Sequence, residues 1–262
     1  SERAERRDRS WPPMEFADYN GQDAAILGTY DCAALDTGVT GLSFSTTCLP
    51  FLAFVVGLKD ALPLVIIPSV SSNLVVMYGA GRFAETVGRF WPMLLATVPG
   101  LILGLWALSR IDGAQAGGVL GAMLLLWCVF TLARPELRLA PRWERPLGPL
   151  SGFLTGTING VTGSQVMPAV PYLMMLNLDR NLFIQAINCS FTLSSVVMAI
   201  GLNRLGLFTT QAAVLSVLGT AFIFIGLKAG EWVRHRMSPE RFRLGVLLML
   251  IAMGASLLWN AA

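Results

Sequence analysis

Long apolar runs alternate with short polar breaks along the chain, and the lengths of the runs predict its elements. The segments 61–80, 90–109, 115–133, 182–202, 209–229 and 242–260 each stay apolar for about the 20 residues that a helix needs to cross a hydrocarbon core roughly 30 Å thick. They predict membrane-spanning helices. Two other regions, 24–57 and 148–177, are apolar at both ends and interrupted by a Gly-rich polar run, Asp36-Thr-Gly-Val-Thr-Gly-Leu-Ser43 in the first and Asn159-Gly-Val-Thr-Gly-Ser-Gln165 in the second. Each predicts two half-helices around an unwound turn. Irregular backbone at membrane depth is tolerated only where protein or a water-filled cavity satisfies it.

The tetrapeptide Gly-Val-Thr-Gly at 38–41 recurs at 160–163, Val75-Val-Met77 recurs as Val196-Val-Met198, and Gly104-Leu105 recurs as Gly226-Leu227. Three matches in one register and one order of segments indicate an internal repeat. The halves are 24–133 and 148–262, joined by a basic linker, 134–147, expected in the cytoplasm, with a polar tail over 1–23. Each half reads as a broken hairpin followed by three spans.

Charge decides how the halves are oriented. If each hairpin returns to its own side, the second half is inverted. Arg82, Arg89, Arg134, Arg138, Arg142, Arg145, Arg180, Lys228, Arg234, Arg236, Arg241 and Arg243 then face one side, and only Lys59, Arg110 and Arg204 face the other, apart from the Arg residues of the tail. That asymmetry fits the positive-inside rule with both termini outside. The expected fold is therefore an all-α polytopic membrane protein of two inverted repeats, each a re-entrant-type hairpin and three transmembrane helices.

Composition narrows the function. At 54% hydrophobic and 13% charged, with mean hydropathy +0.62, the chain leaves no stretch for a separate soluble catalytic domain. The net charge of +3 sits in short loops between spans, which argues for membrane orientation and against nucleic acid. The four cysteines have no metal-ligand or disulfide spacing, the one histidine lies in the basic stretch 234–236, and no metal or other cofactor is expected. Cys48 and Cys189 read as small buried hydrophobes.

Inverted repeats with broken helices are the plan of secondary transporters, in which half-helix N-termini face the substrate near the midplane. Free N–H groups near Ser43–Thr46 and Ser164–Val166 would suit a small anion. The candidate substrate-binding residues are Gly38, Thr40, Gly41, Ser43, Ser45 and Thr46 in the first hairpin, and Asn159, Gly160, Thr162, Gly163, Ser164 and Gln165 in the second. The first full span of each half adds Ser71 and Asn73, and Asn188, Ser190 and Thr192. Small hydroxyl residues also serve helix packing, but Asn73, Asn159, Gln165 and Asn188 are too polar to face lipid. A bulky residue at Gly163 is expected to block the site while leaving the protein folded. Asp31 and Asp36 either lie shallow, at the interface, or couple transport to protons.

The stretch Gly148-Pro-Leu-Ser-Gly-Phe-Leu-Thr-Gly-Thr-Ile-Asn-Gly-Val-Thr-Gly163, then Pro171-Tyr-Leu-Met-Met-Leu-Asn-Leu-Asp179, then a Ser/Thr-rich helix, resembles the TauE/SafE sulfite exporter family of membrane permeases. The likeness covers about 24–260 in segment order. It implies a duplicated domain in a bacterial inner (plasma) membrane and a sulfur-containing anion, sulfite or an organosulfonate, as substrate. Two rival readings are a non-transporting membrane subunit or scaffold and an intramembrane aspartyl enzyme built on Asp31 and Asp36. The enzyme reading fails on geometry, because residues five apart on one helix point about 140° apart and the second repeat has Ile158 where a partner Asp would fall.

Overall fold

The computed structural model describes residues 44–133, 138–210, 212–220 and 239–261, and the regular structure among them is helical. The elements are α1 (Phe44–Val56), α2 (Leu58–Ala80), α3 (Phe83–Leu108), α4 (Gly113–Ala133), α5 (Pro141–Thr162), α6 (Ala169–Met175), α7 (Arg180–Arg204), a helical stretch over 212–220, and α8 (Pro239–Ala261). The expected spans 61–80, 90–109, 115–133 and 182–202 are α2, α3, α4 and α7, each long and apolar enough to cross a membrane. The expected span 242–260 falls in α8, which is apolar over Leu247–Ala261, and 209–229 is described only in part. The chain is a multi-pass membrane protein.

Local signals set the ends of these helices. Asp179 caps α7, its carboxylate accepting from the N–H groups of Asn181 (2.9 Å) and Leu182 (3.1 Å). Pro141 opens α5, where its missing N–H costs nothing. That start lies inside the expected linker, so helix begins before the apolar run does.

α3 and α5 run parallel with their backbones in contact. A Cβ on Gly152, Gly156 or Gly160 of α5 would overlap the carbonyls of Met93, Thr97 and Leu101 in turn, and one on Gly100 or Gly104 of α3 would overlap those of Phe153 and Thr157. The constant four-residue step means one face of each helix is reduced to backbone, the packing that small residues allow in membranes. At the starts of both helices Arg89 donates twice to Glu144, at 2.7 and 3.0 Å. α4 and α8 are antiparallel: Gly121 packs on Gly254, Gly118 on Ala261, and the Cys128 thiol meets the Leu247 carbonyl at 3.9 Å. α2 and α7 are also antiparallel. The backbone N–H of Arg82, just past α2, donates to Gln185 Oε1 near the start of α7 (3.3 Å), and its side chain reaches Asp179 (3.4 Å).

The α5/α6 hairpin enters and leaves at one end of the bundle. The Leu139 N–H donates to the Met175 carbonyl (2.9 Å), and the Tyr172 hydroxyl donates to the Glu144 carbonyl (2.8 Å). Following the helix directions, Arg82, Arg89, Arg138, Arg142, Arg145 and Arg180 gather at that end, where α8 with Arg241 and Arg243 also begins. Lys59, Arg110 and Arg204 lie at the opposite end, where Lys59 donates to the Ile111 carbonyl (2.8 Å). Arg134, Lys228, Arg234 and Arg236 are outside the described residues.

Candidate functional site

The tip of the second hairpin differs from the sequence expectation in its extent. Asn159, Gly160 and Thr162 remain helical, and the break covers 163–168. The physical reason is packing: Gly160 sits against Leu101 and Gly104, which keeps the last turn of α5 wound. Gly163 ends the helix at φ 73°, its N–H bonded to the Asn159 carbonyl at 2.7 Å, a left-handed cap that favours glycine. A Cβ there would overlap the side chain of Leu62 and lie 2.7 Å from Leu49 Cδ2. The Ser164 N–H, expected to be free, donates to Thr162 Oγ1 (3.1 Å), and that hydroxyl donates to the Ile158 carbonyl (2.7 Å). Thr162 therefore satisfies the turn's own backbone.

Just past the turn, Gln165 reaches into the space between α2 and α7 and donates from Nε2 to Ser195 Oγ (3.1 Å). A cavity of about 10 Å³ lies here, with Ser69, Asn159, Gly163, Gln165 and Ser195 in its wall beside the apolar Leu62, Val65, Ile66 and Met198. That volume is the room for about one water molecule, and among the described residues no Lys or Arg lines it. Ser69 Oγ, both side-chain polar atoms of Asn159 and Gln165 Oε1 are buried without a hydrogen-bond partner among the described residues. Each such atom costs roughly 1 to 3 kcal/mol if left unmet. The wall thus offers amide and hydroxyl donors, and amide oxygens, that the described residues do not use.

Other candidates sit apart from this cavity. Asn188 Nδ2 donates to the Ile184 carbonyl (2.8 Å), and Thr192 Oγ1 contacts the Asn188 carbonyl (2.8 Å) and Met77 Sδ (3.5 Å). Asn73 and Ser190 are buried and Ser71 is half-buried, none of them in the cavity wall. Gly38, Thr40, Gly41, Ser43, Asp31 and Asp36 lie outside the described residues, as do the side chains of Ser45 and Thr46 in the first turn of α1. Ser69 and Ser195 were not singled out from the sequence, although both belong to polar runs visible in it. For Ser69 the signal is helical spacing: it lies one turn from Asn73 and both are buried.

These features define a multi-pass membrane protein with an uncharged, partly polar pocket at the tip of a hairpin that enters and leaves at one end of the bundle. The family model "Sulfite exporter TauE/SafE" matches residues 31–257, nearly the whole sequence, and the chain belongs to that family of transporters. Comparison with curated proteins and with solved structures finds no match.

Proposed function

We propose that this chain is a secondary transporter, not an enzyme, that moves a small sulfur-containing anion such as sulfite or an organosulfonate across the plasma membrane, through a site at the hairpin tip between α2 and α7. The observation that carries the reading is the cavity wall of unpartnered neutral groups in a chain of this family. Asn159 and the hydroxyls of Ser69 and Ser195 would donate to the anion's oxygens. Without a cation the hold is weak enough for release, as transport requires. A sulfur oxyanion is larger than one water, so the cavity must widen to take it. The first hairpin, with Gly38, Thr40, Gly41, Ser43, Ser45 and Thr46, completes the site in this reading, and Asp31 and Asp36 are its candidates for proton coupling.

Inverted halves are part of the same proposal. Three features support them: the hairpin that returns to its own end, the antiparallel pairing of α2 with α7 and of α4 with α8, and the buried pairs Ser69/Ser190 and Asn73/Ser194, each 121 residues apart like the Val-Val-Met match. Purified protein in liposomes tests the function. Labelled sulfite or a labelled sulfonate such as taurine should move faster than through protein-free vesicles; equal rates for every sulfur anion tried would leave a scaffold role instead.

A further inference from the structure

The cavity is not equally polar in all directions. Toward the basic end, α5 continues from Asn159 to Thr155 and Ser151, one turn apart, so the three span about 12 Å at 1.5 Å per residue. They are 0%, 1% and 6% exposed, and among the described residues Asn159 Nδ2 and Oδ1, Thr155 Oγ1 and Ser151 Oγ all lack a partner. Thr157 and Thr162 of α5, and Thr97 of the adjoining α3, instead bond carbonyls one turn back. The other two walls carry fewer such groups. On α2, going from Ser69 toward the basic end, the next turn brings Asn73, with Nδ2 unpartnered; on α7 the residue before Ser195 in that direction is Ser194, with Oγ unpartnered. In the opposite direction Leu58 and Leu62 of α2 and Leu202 of α7 are buried in one cluster with Leu49 of α1 and Leu105 of α3.

We propose that the route between the cavity and the basic end of the bundle runs along the Ser151–Thr155–Asn159 face of α5, with Asn73 and Ser194 as further polar groups along it, and that the opposite exit is closed by the leucine cluster. Buried hydroxyls and amides that bond nothing in the protein are tolerated where water or a passing polar solute bonds them. The three lie in a line, as a route needs and a single binding pocket does not. Which solute travels there rests on the transporter reading; the existence and direction of the route do not.

Single cysteines placed at 151, 155, 73 and 194, in a full-length chain lacking its four native cysteines, test this in membrane vesicles of known sidedness. A water-soluble maleimide applied from the basic-end side should label Ser151→Cys and Thr155→Cys at least tenfold faster than Leu154→Cys, which faces lipid on the same helix. Leu62→Cys and Leu202→Cys should resist labelling from the opposite side. Labelling at 151 and 155 no faster than at 154 would overturn the route, and fast labelling at 62 and 202 would overturn the closure; if either α5 variant fails to fold, 73 and 194 decide. Thr155→Val should lower sulfite flux about tenfold, the equivalent of one lost hydrogen bond of 1.4 kcal/mol. Unchanged flux in that variant would show that the anion does not use the route. A wild-type chain that moves no sulfur anion would end the transporter reading, while the labelling pattern would still decide the route.

Discussion

Two residues at the hairpin tip show how a side chain's partners set what its removal can reveal. Gln165 holds Ser195 with its amide nitrogen and leaves its oxygen unmet, so Gln165→Met removes groups that a bound anion and its shell would use. Its dissociation constant for the transported anion should rise ten- to hundredfold, the effect of about 1 to 3 kcal/mol. Asn188 already donates to its own helix, so Asn188→Leu should raise it less. Ser109→Ala, which removes an exposed bond to Trp106, should change nothing measurable by titration calorimetry. A Gln165→Met protein that binds as tightly as wild type would move the site elsewhere. Gly163 is a poorer probe than its sequence suggests. Its positive φ and its contact with Leu49 and Leu62 mean that Gly163→Leu strains the fold as well as the site. Even Gly163→Ala, with a left-handed cost of about 1 to 2 kcal/mol, should lower the Tm by roughly 2 to 8 °C.

At the level of elements, apolar length alone located α2, α3, α4 and α7, because a helix in lipid needs a run that loops cannot mimic. The Gly-rich break marked the second hairpin, but placed its turn several residues early. Glycine is ambiguous in sequence: Gly160 belongs to a close helix contact and Gly163 to a turn, and only the partner helix distinguishes them. The same ambiguity hid the contact of Gly152, Gly156 and Gly160 with α3. A methyl group separates the two kinds of glycine experimentally. Gly156→Ala would push a Cβ onto the Thr97 carbonyl, an overpacking of about 1 to 3 kcal/mol, and should lower the Tm in detergent by roughly 2 to 12 °C. Gly88→Ala, with open space around it, should leave the Tm unchanged. Ser151 and Thr155 escaped the sequence reading for a related reason: on a helix of mixed polarity a hydroxyl gives no sign of whether a carbonyl one turn back will occupy it.

For the whole molecule, the distribution of arginine along the sequence anticipated which ends meet. Arg82, Arg89, Arg142, Arg145 and Arg180 come from three separate stretches and gather at the end where the hairpin enters. A cysteine at Ala140, beside that entry, should be labelled by an impermeant reagent only after the cytoplasmic face is exposed; labelling from outside in intact cells would reject the inverted arrangement. The contact of α3 with α5 also has a consequence for biosynthesis. α3 belongs to the first half of the chain and α5 to the second, so until α5 is made the α3 backbone groove at Met93, Thr97 and Leu101 has no partner of its own to fill it. The groove closes only when residues 141–162 have left the ribosome. A chain stopped before that point would carry this strip uncovered, open to any small-residue helix that can approach it as closely as α5 does.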